Sequence, residues 1–160
     1  MPDIRELPPA ETHRAARALL ELRPQRGPAE ALVARADAQR AAGYRVVASF
    51  DPGEEDAAAV AGFRVTDNLA WGRHLYVDDL STRADRRGRG HGGALMRWLA
   101  VEACRLGCDE LHLDSGVGPD REDAHRLYFN SGLRISSFHF ARPLAGGGCD
   151  APVAAQRQAR

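Results

Sequence analysis

The sequence predicts one mixed α/β domain, a mostly antiparallel sheet with helices packed on it. Three observations carry this reading. Between residues 44 and 82 the apolar pattern changes from helical to period two and gives three strands in succession, which pair as antiparallel hairpins. A strand–helix–strand unit over residues 73–116 requires one right-handed parallel crossover. No linker or internal repeat divides the 160 residues, a length that suits a single domain.

The elements follow in order. "DIREL" (3–7) reads as a first strand. "PAETHRAARALLEL" (9–22) places Ala15, Ala18, Leu19 and Leu22 at helical spacing, with Thr12 as its N-cap. A second helix spans 27–43, bounded by Pro28 and Gly43. Strands at 44–51 and 57–67 flank the polar turn "PGEED", and "RHLYVDDLST" (73–82) is the next strand. The helix "GGALMRWLAVEACRLG" (92–107) shares one face among Leu95, Trp98, Leu99 and Leu106, and Gly107 is its C′ residue. A strand at 109–116, a helix at 120–132 ending on Gly132, and a strand at 133–144 complete the order β-α-α-β-β-β-α-β-α-β. Residues 1–144 form the domain and 145–160 a disordered tail.

Composition narrows the function classes. All 22 basic residues are arginine, so a lysine nucleophile or Schiff base is excluded. A net charge of zero argues against a general nucleic-acid binder. The N-terminus lacks a basic and then apolar leader, and no apolar run is long enough for a membrane span. Cys104, Cys108 and Cys149 are odd in number and form no C-x-x-C, which fits free thiols in a reducing cytoplasm. The arginine-, alanine- and glycine-heavy usage resembles GC-rich bacterial coding. His112, His125 and His139 lack metal-ligand spacing, so no metal is expected, and Phe138 and Phe140 are assigned to the core.

The chemistry concentrates in "RRGRGHGGAL" (86–95), between a strand with a polar end and an apolar helix. Glycines there allow positive φ and close backbone approach, and the first N–H groups of a helix have no partner inside it. With the macrodipole they make an anion site suited to phosphate. A P-loop is excluded because it needs a lysine. Gly88, Gly90 and Gly93 satisfy G-x-G-x-x-G, but they follow antiparallel strands instead of opening the first β-α unit of a parallel sheet.

Arg87-Gly88-Arg89-Gly90-His91-Gly92 matches R-x-x-G-x-G, and "AHRLYFNSGL" (124–133) matches A-x-x-[FL]-Y-x-x-x-G-[FL]. Together with the element order, these resemble the GNAT N-acetyltransferase superfamily over nearly the whole chain. The resemblance implies the GNAT fold, with a central mixed sheet and helices on both faces. It also implies transfer of an acetyl group from acetyl-CoA, as cosubstrate, to a primary amine. Arg87, Gly88, Arg89, Gly90, His91, Gly92 and Gly93 would hold the pyrophosphate, chiefly through main chain. Leu80, Ser81 and Thr82 would carry the pantetheine arm, and a backbone N–H there would polarise the thioester.

Within that resemblance Tyr128 is the general acid that protonates the departing thiolate. The base is Asp78, Asp79, His74 or water. Asp79 is the first choice because it adjoins the thioester positions, and strand alternation sends Asp78 and Asp79 to opposite faces. Arg121 stands where the family commonly has asparagine, and residues after the last helix suffice for one strand where most members have two. A partner chain in a homodimer could supply the missing acceptor-side wall. The amine is unidentified. Two competing readings are a non-catalytic acyl-CoA-binding module of the same fold and a nucleic-acid module using the arginine turn.

Overall fold

A computed structural model describes residues 2–144; the predicted tail at 145–160, with Cys149, lies outside the described residues. Strands β1 (Asp3–Glu6), β2 (Arg45–Phe50), β3 (Ala59–Asn68) and β4 (Gly72–Thr82) pair antiparallel in succession. β5 (Glu110–Leu113) lies parallel to β4 after the predicted crossover, so spatial order equals chain order. Helices α1 (Ala16–Leu22) and α2 (Ala29–Gln39) precede β2, α3 (His91–Arg105) joins β4 to β5, and α4 (Glu122–Asn130) follows β5.

Period-two alternation builds the two cores. Val46, Ala48 and Phe50 of β2 pack with Leu19 of α1 and Leu32 of α2. The opposite face presents Val47, Leu75 and Val77 to Leu95 and Leu99 of α3. Leu95 and Leu99 are fully buried, one helical turn apart, so truncating either to alanine costs about 2–5 kcal/mol. Helices therefore cover both faces.

Three local expectations are corrected. Thr12 caps no helix: Pro8 and Pro9 start residues 9–15 as a 3-10 stretch, and regular helix begins at Ala16. The buried Thr12 hydroxyl instead donates to Asp37 Oδ1 of α2 at 2.6 Å. Residues 133–144 form no strand. Their apolar phase slips at Ser136–Ser137, with Leu133 and Ile135 odd but Phe138 and Phe140 even, so one sheet face cannot take both halves. Leu133 packs against the α3-side core, whereas Phe138 and Phe140 are 84% and 91% exposed, and their assignment to the core fails.

The β3–β4 register departs from strict alternation beside the site. Gly62 pairs with Asp79 and Phe63 with Val77, so Asp78 is an extra residue bulged out of β4. A bulge breaks strict alternation, and Asp78 and Asp79 line the same cavity rather than opposite faces.

Candidate active site

The glycine-arginine turn is shaped by backbone and fastened at three points. After β4 the chain is held by Arg83, whose buried guanidinium makes two bonds to Asp85 at 3.1 and 2.7 Å. Glu21 of α1 accepts the Ala84 N–H at 2.7 Å. Gly88 and Gly90 then take φ of +74° and +85°, a region that side chains with a β-carbon avoid. Gly90 is the N-cap of α3, so the N–H groups of His91, Gly92 and Gly93 begin the helix without partners inside it.

The third fastening is His91. Its ring is buried and turned away from the groove: Nδ1 lies 2.8 Å from Ser49 Oγ and Nε2 3.2 Å from Asp51 Oδ1. Arg86 and Arg89 approach the other Asp51 oxygen at 3.4 and 3.6 Å. Asp51, just after β2, thus lies within 3.6 Å of three residues of the turn. Sequence reasoning missed Ser49 and Asp51, because nothing in a polar strand end marks it as the support of a turn 40 residues later.

The turn forms one wall of a groove of about 610 Å³. Arg87, Gly88, Gly90, His91, Gly92 and Gly93 line it from the turn. Leu80, Ser81 and Thr82 line it from β4, and Leu127 and Tyr128 from α4. Of the expected cofactor residues only Arg89 lies off this wall; its guanidinium reaches back to the Asp85 carbonyl at 3.4 Å and to Asp51. The α4 wall sits close, since a β-carbon on Gly92 would come 3.1 Å from Leu127 Cδ2.

Groove and sheet meet in a fork. The β4–β5 pairing stops at Val77 and Leu113, so beyond the bulge β4 keeps β3 on one edge and, among the described residues, has no strand on the other. A cavity of about 110 Å³ fills the fork, with Asp78 and Leu80 on one side, Leu113 opposite, and Arg121 and Tyr128 over it. The Tyr128 hydroxyl makes no hydrogen bond among the described residues. Burial raises its pKa above the ordinary phenol value, with Arg121 opposing, so it holds its proton at neutral pH.

A third cavity, of about 290 Å³, lies between β4 and the α1–α2 pair and shares Arg23 and Asp78 with the fork. Both oxygens of Asp79 are bonded there: Arg23 Nε donates to Oδ1 at 2.8 Å and the Tyr44 hydroxyl to Oδ2 at 2.9 Å. Asp78 receives only Arg64 Nε, at 2.8 Å on Oδ2. Burial pushes the Asp78 carboxyl up from its ordinary value, against the pull of Arg64. His74 is packed at the far end of β4, bonded to the Gly72 carbonyl and edge-on to Trp71, roughly 20 Å along the strand from Leu80.

These features coincide with a known family. The model of the Acetyltransferase (GNAT) family matches residues 8–132, from the start of the first helical segment to Gly132 after α4. The chain belongs to the GNAT family. Among its GNAT relatives is the uncharacterized N-acetyltransferase YhdJ of Bacillus subtilis, 36% identical over 46% of this chain and 51% of that protein. The aminoalkylphosphonate N-acetyltransferase of Salmonella typhimurium is 31% identical over 42% of this chain and 43% of its own. The chain thus spans about half the length of the curated relatives it matches. The GNAT fold itself aligns with the aminoglycoside N-acetyltransferase AAC(6')-Iy, solved in complex with CoA. That alignment has a TM-score of 0.75 at 15% identity and covers 91% of this chain and 95% of that one.

Proposed function

We propose that this protein is an acetyl-CoA-dependent N-acetyltransferase acting on a small primary amine. The fork between β4 and β5, opening beneath the glycine turn, carries the reading. It sets an unpaired strand edge, a cluster of free helix N–H groups and an unbonded tyrosine around one groove. The residues fit the cosubstrate: the pyrophosphate lies against the N–H groups of His91–Gly93, where backbone and dipole favour phosphate. The pantetheine adds along the open edge of Leu80–Thr82 in the manner of an extra strand.

The chemistry then falls to the groups in the fork. Asp78 Oδ1 takes a proton from the incoming ammonium, and its raised pKa makes it a better base than an exposed aspartate. The neutral nitrogen attacks the thioester carbon, with a β4 backbone N–H stabilising the charge that grows on oxygen. As the C–S bond breaks, Tyr128 gives its proton to sulfur, and the proton lost from nitrogen on amide formation restores the phenol. Asp79 is assigned a structural role, since both its oxygens are held, and His74 is too distant to act.

Titration calorimetry with acetyl-CoA and a thiol-release assay over an amine panel test the proposal. Wild type should bind and turn over, Gly90→Glu should lose binding, and Tyr128→Phe should keep binding while kcat falls about 10²–10⁴-fold. Tight binding with no turnover on any amine would make the protein a binding module. Unaltered binding by Gly90→Glu would refute the placement of the pyrophosphate.

A further inference from the structure

The cavity on the α1–α2 side carries unbalanced charge. Three arginines, Arg23 and the exposed Arg26 and Arg35, line it together with two aspartates, Asp78 and Asp79. Arg23 is spent on Asp79 and on the Asp78 carbonyl, and Arg64 enters from β3 to hold Asp78. Arg26 and Arg35 are different: among the described residues neither side chain makes a hydrogen bond or ion pair, although most arginine side chains do. Arg26 lies in the short helical turn after α1. Arg35 belongs to the stripe Leu32, Arg35, Ala36 and Gln39, which α2 turns to the cavity at helical spacing. Arg23 and Asp78 stand where this cavity joins the fork, and Arg26 and Arg35 line the same cavity as Asp78.

We infer that the acceptor is a small amine bearing its own anionic group, a carboxylate or phosphonate a few bonds from the nitrogen, which Arg26 and Arg35 bind. This rests on the acetyltransferase reading above and narrows its substrate class. The chemistry supports the polarity in both directions. Guanidinium donors recognise planar or tetrahedral oxyanions through paired hydrogen bonds. A polyamine would bring further positive charge to a wall that already has cations in excess. A cavity of about 290 Å³ suits a molecule of amino-acid size.

The test compares acceptors of matched length on the full chain: β-alanine and aminoethylphosphonate against ethanolamine and putrescine, by thiol release. The two anionic amines should show the higher kcat/KM. Arg26→Gln and Arg35→Gln should each raise KM for them about tenfold, the loss of one charge-assisted contact, and leave the KM for acetyl-CoA unchanged. Arg134→Gln, on the exposed segment after α4, should change neither. Preference for ethanolamine or putrescine, or indifference of the anionic amines to both arginine variants, overturns the inference while the acetyltransferase reading stands. If acetyl-CoA binds but no amine is turned over, calorimetry of β-alanine against the CoA complex decides. Binding that Arg35→Gln weakens supports the anion site, and no binding overturns it. Failure of acetyl-CoA itself to bind sinks both.

Discussion

Gly62 sits opposite the β4 bulge, and alanine there provides a stringent test of how the site is held. The new β-carbon would lie 1.9 Å from Tyr44 Oη, 2.4 Å from Cζ and 2.6 Å from Cε2. The φ of Gly62 is not positive, so alanine introduces steric conflict without backbone strain. Relief requires the ring to retreat roughly 1.5 Å to reach van der Waals distance. Tyr44 has little freedom to do so: it is buried, donates to Asp79 at 2.9 Å, and lies under the Arg64 guanidinium at 5.5 Å. Overpacking of this kind costs about 1–3 kcal/mol, and a lost hydrogen bond to a carboxylate about 1.5–3 kcal/mol. Allowing for overlap between the two, Gly62→Ala should destabilise by about 3 kcal/mol, a fall in Tm of roughly 10 °C at this chain length. Calorimetric melting measures it. In a Tyr44→Ala background the same substitution should cost far less, because the clashing atoms are gone. KM for the amine should rise while acetyl-CoA affinity holds, since Tyr44 lines the α1–α2 cavity and not the groove proposed for acetyl-CoA. A Tm within about 2 °C of wild type would refute the packing argument.

Other consequences can be checked in parallel. His91→Leu should weaken acetyl-CoA binding about tenfold by calorimetry, with kcat at saturation unchanged, because it removes one buried hydrogen bond that fastens the turn; His91→Asn should recover part of the loss. Asp78→Asn should lower kcat about 10²–10⁴-fold and remove a limb of the pH–rate profile. That limb falls as pH drops through the carboxyl's pKa, and burial of Asp78 places it at higher pH than for an exposed aspartate. Glu102→Gln should lower denaturant stability at pH 7. Bonds from Arg105 and then Arg45 hold the Glu102 carboxyl down at about 2. The stabilisation is therefore present above the unfolded value of roughly 4.3 and is lost as pH falls toward about 2, so the two proteins should converge there.

Much of the groove around the glycine turn was legible because its residues are local. Gly88 and Gly90 have positive φ for reasons set within the turn, and the helix that follows declares itself by its apolar period. Leu80, Ser81 and Thr82 reach the same groove because β4 leads straight into that turn. The cavity between β4 and the α1–α2 pair was not legible. Asp78 and Asp79 should have faced apart, and one bulged residue placed them together. Tyr44, Arg23 and Arg64, which determine what each carboxylate can do, lie 14 to 56 positions from them along the chain. The last strand misled for a related reason, since extended patterning predicts a strand only where a neighbouring edge accepts its hydrogen bonds.

By itself the sequence determined the element order as far as α4, the two-faced core and the glycine turn before α3, because hydrophobic period and glycine placement act over a few residues. Tertiary structure alone decided that β4 and β5 part after Val77 and Leu113. It also turned His91 inward onto Ser49 and Asp51, and left Asp78 with an unbonded oxygen while both oxygens of Asp79 were bonded. Each of those outcomes depends on register and on ion-pair partners brought together from distant segments, and partner choice is settled only when the chain has closed.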